Sequence, residues 1–187
     1  MEIIFLIGFR YFIYTMQNGR YKKNIMMENR ILTTDRSQLK KDMLDAGIGK
    51  HQTVIDDLRE GIKDLQSSAG MVNEEEMDLS QQGFNTEIMH KINALADQLS
   101  FANQEMKLLY DMIPTIQYIH ETVAEGSVVL TDKGVFFVSA SIEEFEVEGT
   151  KVFGLSTASP LFQEMSGKRK GDSFSYKEVQ YKIQDVF

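Results

Sequence analysis

The chain has 187 residues, a formal net charge of −8 and no cysteine. An acidic chain is poorly suited to coating a phosphate backbone, so nonspecific nucleic-acid binding is disfavoured. The lack of cysteine excludes disulfides, thiolate zinc sites and cysteine nucleophiles, and it fits a reducing cytoplasm, which is the expected location. The length allows one ordinary domain or two small ones.

Residues 1–33 are interpreted as an N-terminal extension. An apolar run over residues 3–9 is interrupted by Arg10. A bilayer span needs about 20 apolar residues, so no stable membrane association is expected. We interpret the segment as an extended start, with the natural protein beginning at Met26 or Met27. A membrane-surface anchor and an element that packs on the body are the alternatives.

Two helices are predicted from apolar residues that recur in steps of three and four. The first set is Ile48, Ile55, Leu58, Ile62, Leu65 and Ala69, with His51 in the remaining slot, and the second is Ile88, Ile92, Leu95, Leu99, Ala102, Met106 and Leu109. These heptad steps are typical of a coiled-coil seam. When the second run is folded back on the first, every position aligns in one antiparallel register, for example Ile62 with Leu95.

The seam predicts an antiparallel coiled-coil hairpin over residues 34–114. Asp35 or Ser37 is expected to cap the first helix, and the second should end near Pro114, which cannot continue a helix without losing a hydrogen bond. Two glycines within residues 47–49 predict a bend or break in the first helix, because glycine weakens a helix interior.

The connection between the two helices, residues 70–87, is long and acidic. Its acidic residues are Glu74, Glu75, Glu76, Asp78 and Glu87. Long structured connections are usually functional or disordered. The alternative interpretation is a solvated, charge-rich turn without a function of its own.

After a linker over residues 115–125, residues 126–187 are predicted to form a small β-rich domain with one helix. Two β-hairpins are expected, pairing 127–130 with 135–138 and 145–147 with 151–155, before a last strand over 179–186. Ser159 suits a helix N-cap, Pro160 the first helical position and Gly167 the left-handed residue that ends the helix. The predicted fold class is therefore α+β.

This last third of the chain resembles the Gre-type transcript cleavage factors of bacterial RNA polymerase. Three features carry the resemblance, namely the pair Gly126-Ser127, the Ser159-Pro160 step and the run from Gly167 to Asp172. The resemblance implies a C-terminal domain similar in fold to FKBP prolyl isomerases, which docks at the rim of the polymerase secondary channel. The residues that it assigns to polymerase binding are Ser159, Pro160, Lys168, Arg169 and Lys170.

The same resemblance implies that the hairpin enters the channel and that two acids at its tip help to bind a magnesium ion and position water. Such a factor is not itself an enzyme, since it assists the intrinsic nuclease activity of the polymerase. It holds no cofactor or metal of its own and shares the polymerase Mg²⁺. Its partners are RNA polymerase and, indirectly, the 3′ end of the nascent RNA, and a cytoplasmic monomer is expected.

The tip departs from the family pattern. Asp78 matches the first acid, whereas Gln81 stands at the position of the second, and Glu74, Glu75 and Glu76 are possible substitutes. The departure leaves three alternatives open, which are a factor that stimulates cleavage, a channel inhibitor or modulator without cleavage activity, and a coiled-coil interaction scaffold.

A prolyl isomerase is a further alternative. Such an enzyme needs an aromatic-lined cleft, and the small domain is rich in phenylalanine. The candidate lining residues are Phe136, Phe137, Phe145, Phe153 and Phe162. We interpret these aromatic side chains instead as the core of the small domain.

Overall fold

The computed structural model describes residues 35–70 and 79–187, with side chains for 35–68 and 85–187. The predicted N-terminal extension and the acids Glu74, Glu75, Glu76 and Asp78 lie outside the described residues. The fold is α+β, because two long helices precede a six-stranded sheet with one short helix. Within the described ranges, no helix combines the length and apolar character that a membrane span requires.

The two long helices are α1, Arg36–Gly70, and α2, Leu79–Met112. Asp35 caps α1, since its Oδ1 accepts a hydrogen bond from the backbone N–H of Ser37 at 3.0 Å. The helix α2 ends two residues before Pro114, as predicted.

The helices run antiparallel to each other. Near the base of the hairpin, His51 Nε2 lies 2.9 Å from the carbonyl oxygen of Ala102. Further along α1, a Cβ at Gly61 would lie 3.4 Å from Leu95 Cδ1. The described seam residues are all buried or half-buried, namely Ile48, His51, Ile55, Leu58, Ile62 and Leu65 on α1, and Ile88, Ile92, Leu95, Leu99, Ala102, Met106 and Leu109 on α2. Supercoiling of the pair stays a prediction.

The predicted break at residues 47–49 is wrong, because α1 continues through them as one helix, whereas the alternative of a bend there stays a prediction. A Cβ at Gly47 would lie 3.1 Å from Ile142 Cδ1, whereas one at Gly49 would meet nothing within 4 Å. Gly47 therefore lets a loop of the sheet domain come close to the helix. The helical hydrogen bonds tolerate both glycines at a modest cost in stability.

The six strands form one mixed sheet in the order β3-β4-β2-β1-β6-β5. The strands are β1 Val128–Thr131, β2 Val135–Ser139, β3 Phe145–Val147, β4 Thr150–Ser156, β5 Ser173–Tyr176 and β6 Val179–Val186, and helix α3, Pro160–Met165, follows β4. The β2 and β4 strands are parallel, and the other neighbours are antiparallel. Both predicted hairpins and the last strand are confirmed.

The sheet separates two apolar cores. Phe137 of β2 points to the core that contains the hairpin base, whereas its neighbours Phe136 and Val138 point to the core beneath α3. This alternation follows from the two-residue period of a strand. Of the five phenylalanines considered for an isomerase cleft, Phe136, Phe137, Phe145 and Phe162 are buried core residues, and only Phe153 is exposed, at 39%. The predicted likeness to FKBP stays a prediction, as do the domain limits.

A buried lysine fastens the linker to α1. The Nζ atom of Lys40 donates to the carbonyl oxygen of Tyr118 and lies 3.2 Å from His120 Nδ1. Burial lowers the pKa of Lys40 to about 8. The pKa of His120 is lowered mainly by burial and secondly by the nearby charge of Lys40. A neutral His120 imidazole can therefore accept a hydrogen bond from the Lys40 ammonium group.

We expect the lysine to make stability depend on pH. The folded pKa of Lys40 is about 8 and the ordinary value is 10.5, so the unfolded chain binds more protons between these values. Stability should therefore rise with pH across that window, by on the order of 1 kcal/mol per pH unit from this group. Urea denaturation should show this rise in the wild-type protein and a flatter dependence in Lys40→Met. Equal slopes in the two proteins would contradict a lowered pKa of Lys40.

Candidate functional site

Helix α3 is a short element that is fixed at both its start and its buried face. The Ser159 side-chain oxygen accepts a hydrogen bond from the N–H of Phe162 at 3.2 Å, and Pro160 occupies the first helical position. Phe162 and Met165 are buried against the sheet. Ser159 is thus engaged as the cap, while Pro160 is exposed at the surface.

The turn after α3 is held by the end of the linker. Gly167, at φ +71°, adopts the left-handed conformation that was predicted to end the helix. Its N–H donates to the carbonyl oxygen of Val123 at 2.9 Å, and the N–H of Val123 donates to the carbonyl oxygen of Lys168 at 2.8 Å. Because Val123 is buried, the start of the basic run is rigidly positioned.

The rest of the turn is fixed by Asp172 and β6. The Asp172 carboxylate accepts a hydrogen bond from the N–H of Arg169 at 2.8 Å. The backbone carbonyl oxygen of Asp172 accepts one from the N–H of Ile183 at 2.9 Å. Gly171 has φ +94°, which favours glycine at that position. The Gly-Asp pair therefore has a structural role, since it shapes the loop that presents the basic residues.

The three basic residues of the turn are not equivalent. Lys170 Nζ lies 3.4 Å from Asp185 Oδ1, and the other oxygen of Asp185 lies 2.6 Å from Arg36 Nη2. Asp185, only 5% exposed, thus links the turn to the start of α1. Arg169 is exposed, Lys168 is half-buried, and neither makes an ion pair with any residue of the described ranges. Arg169 is therefore the cation most open to a partner.

Sequence reasoning missed Arg36 and Asp185. The sequence feature that pointed to this ion pair was the single acidic residue Asp185, which directly precedes the apolar residues Val186 and Phe187. A buried charge in such a place needs a partner, and pattern reading does not identify a partner far away along the chain.

The second predicted site is the hairpin tip. Gln81 lies in the first turn of α2, and its side chain, like all of Asp78 and Glu74–Glu76, is outside the described part of the chain. The far end of α1 lies about 50 Å from its start at a rise of 1.5 Å per residue. Since Arg36 at that start contacts Asp185, the basic turn lies at the base of the hairpin, far from the tip.

Within residues 35–70 and 79–187, no three His, Asp or Glu side chains are arranged to hold a metal ion.

No family model matches this chain, and no curated protein matches it. Among solved structures, the crystal structure of Gfh1 from Thermus aquaticus aligns at 17% identity with a TM-score of 0.27, covering 76% of this chain and 94% of that one. A second structure, described as the transcription factor Gfh1, aligns at 17% identity and a TM-score of 0.27, covering 75% and 93%. Superpositions this loose show neither a shared fold nor a shared activity.

Proposed function

We propose that this protein is a Gre-like regulator of transcription elongation, which binds RNA polymerase and inserts its hairpin into the secondary channel. The observation that carries the proposal is a long two-helix hairpin whose described residues share a core with a small sheet domain at its base, with an acidic connection between the helices at its far end. The residues that resemble the Gre family, from Ser159 to Asp172, form α3 and the turn after it, and Lys170 of that turn is linked through Asp185 to Arg36 at the hairpin base.

The far part of the hairpin extends beyond the apolar core. The core shared with the sheet includes hairpin residues as far along as Leu58 and Leu99. Beyond them, the seam residues are half-buried between the two helices, except Ile88, which is buried, and most other described positions are exposed. From Leu58 to Gly70, the rod extends about 18 Å further and is about 20 Å across. The exposed, polar surface of this projection supports its entry into a water-filled channel.

The acidic connection provides the chemistry of the proposed tip. Mg²⁺ prefers oxygen ligands and usually takes one or two carboxylates from a given protein. When bound by the polymerase, the ion stabilises charge on the oxygens of a phosphoryl displacement. Asp78 is the carboxylate that would face it, with Glu74, Glu75 and Glu76 as substitutes. Gln81 would orient water through its amide without adding charge.

Binding to the polymerase is proposed to involve the base of the hairpin. The exposed Pro160 and Arg169 lie on rigid local structure around Ser159, whereas Lys170 is already paired with Asp185. We therefore assign Arg169 the main electrostatic contact, with Lys168 beside it.

Charge reversal at Arg169 is expected to weaken polymerase binding about ten-fold, because it replaces an attractive contact by a repulsive one. The control is Lys177→Glu, which makes the same change of charge in the turn between β5 and β6, about 16 Å along the chain from Asp172. Binding can be measured by fluorescence anisotropy with the labelled full chain and core polymerase. Equal affinities for the two variants would remove Arg169 from the interface.

The proposed function is tested with stalled, backtracked elongation complexes of the cognate polymerase in magnesium. The full chain is compared with residues 27–187, and both cleavage of the transcript and the elongation rate are measured. Cleavage of the RNA supports a cleavage factor. Slower elongation without cleavage supports the channel inhibitor, which the glutamine at position 81 favours. Absence of both effects and of binding would refute the proposal and favour the interaction scaffold.

A further inference from the structure

A cleft of about 530 Å³ opens where the hairpin meets the sheet domain. It is bounded by α1, by α2 and by residues 141–143, which connect β2 to β3. The basic turn and the tip are not among its lining residues. The cleft therefore belongs to neither of the sites considered above.

The two helices line the cleft with different side chains. On α2, Asp97, Phe101 and Glu105 recur every four residues and so share one helix face. On α1, Val54 and Leu58 provide apolar surface opposite. Phe101 is 58% exposed, so its aromatic face is accessible from the cleft. The arrangement is an apolar slot with a carboxylate about one helical turn on each side of an exposed ring.

The charges of the cleft do not balance. Lys50 Nζ lies 3.9 Å from Glu143 Oε2, so these two side chains offset each other at the rim. Asp97 and Glu105 make no ion pair within the described ranges. The cleft consequently has two uncompensated carboxylates and favours a cation.

One of the two oxygens of the Glu105 carboxylate is hydrogen-bonded within the protein. Its Oε1 accepts a hydrogen bond from the N–H of Ser141 at 2.9 Å, and the residue is only 6% exposed. No hydrogen bond joins its second oxygen to a described residue, and Glu105 is one of the residues that line the cleft. A buried carboxylate oxygen left in this state is suited to an external donor.

We propose that this cleft receives the guanidinium group of an arginine side chain presented by a partner protein. A guanidinium is planar, stacks on an aromatic face and donates several hydrogen bonds, so it can contact Phe101 together with Asp97 and Glu105. An ammonium group is compact and strongly hydrated, which suits the apolar slot less well. Nucleic acid and anionic membranes are disfavoured by the same carboxylates. This inference does not depend on the proposed function in transcription.

The test is an NMR titration of the ¹⁵N-labelled full chain with the capped peptide acetyl-Gly-Arg-Gly-amide. We expect saturable shifts at the amides of Phe101, Ala102 and Ile142. Matched peptides with citrulline or lysine in place of arginine should bind more weakly, the uncharged citrulline by about ten-fold or more, because charge-assisted hydrogen bonds are lost. Free L-arginine should bind no more tightly than the capped peptide, since its own carboxylate faces acidic residues.

Two variants locate the binding. Phe101→Leu keeps the apolar contact but removes the aromatic face, and should weaken binding of the arginine peptide about five-fold. Asp97→Asn should weaken it about ten-fold. Neither residue is buried, so both variants should fold. Tyr110→Leu, at an exposed aromatic position of α2 outside the cleft, should leave the affinity unchanged.

Several results would overturn the inference. Equal binding of the arginine and citrulline peptides would exclude recognition of charge, and equal binding of the lysine peptide would exclude a preference for guanidinium. Tighter binding of free L-arginine would make the site a receptor for a small molecule. Absence of saturable shifts, or unchanged affinity in both cleft variants, would refute arginine binding at this place.

Discussion

Replacing Gly154 with alanine is expected to lower the free energy of unfolding by about 3 kcal/mol. A Cβ at this position would lie 2.6 Å from Ile142 Cβ, 2.9 Å from Ile142 Cγ1 and 2.9 Å from the carbonyl oxygen of Ala140. Overpacking of a close contact typically costs about 1–3 kcal/mol, and more where the neighbours cannot move. Here the neighbours are backbone and a branched side chain.

The neighbours of Gly154 are held from two sides. The N–H of Gly154 donates to the carbonyl oxygen of Ile142 at 3.0 Å, and the N–H of Ser141 donates to Glu105 of α2 at 2.9 Å. A shift of the loop that would relieve the clash must therefore weaken one of these bonds. We expect the variant to loosen the contact between the hairpin base and the sheet as well as to lower stability.

The matched control is Gly49→Ala, the same chemical change in the middle of α1. A Cβ at Gly49 meets nothing within 4 Å, so alanine should raise stability by up to about 1 kcal/mol through its better helix propensity. Urea denaturation followed by circular dichroism measures both changes. Equal shifts of the two midpoints, or an unchanged midpoint for Gly154→Ala, would contradict the close approach of residues 140–142 to β4.

If the chain acts as a cleavage factor, replacing Asp78 with alanine is expected to slow cleavage of backtracked RNA by about 10- to 100-fold, the usual loss when a group that supports a metal site is removed. The affinity for polymerase and the stability of the chain should not change, because polymerase binding is assigned to the opposite end of the hairpin. Single-turnover cleavage at saturating factor measures the rate. The control is Glu60→Ala, which removes an exposed acid of α1 outside the connection.

The substitution Gln81→Glu tests the second acidic position of the tip. If the family geometry holds, the added carboxylate restores the second acid and cleavage becomes faster than with the wild-type chain. No gain would mean that the tip is built differently. Full activity of Asp78→Ala would transfer the role of Asp78 to Glu74–Glu76. Absence of cleavage in every variant, with slowed elongation, would establish an inhibitor.

The helices and strands were largely predictable because they depend on neighbours in sequence. The three–four spacing from Ile48 to Leu109 predicted which helix positions are buried, and Ser159, Pro160 and Gly167 predicted both ends of α3. Propensity, capping and periodicity act over one or two turns, so they are visible in the chain itself.

The roles of individual residues depended on contacts that are distant in sequence. Gly47 looked like a helix breaker, and only the position of Ile142 explains why a glycine is there. Lys170 looked like one of three equal cations until Asp185 was found to pair with it.

The amino-acid sequence by itself determined an α+β chain with a helical hairpin, two β-hairpins and a capped short helix. Only the tertiary structure decided that the base of the hairpin shares a core with the sheet, that Asp185 joins α1 to the basic turn, and that Phe101 stands exposed between two carboxylates beside residues 141–143. The physical reason is that local conformational preferences are encoded over a few residues, whereas burial and charge pairing depend on which distant segments meet.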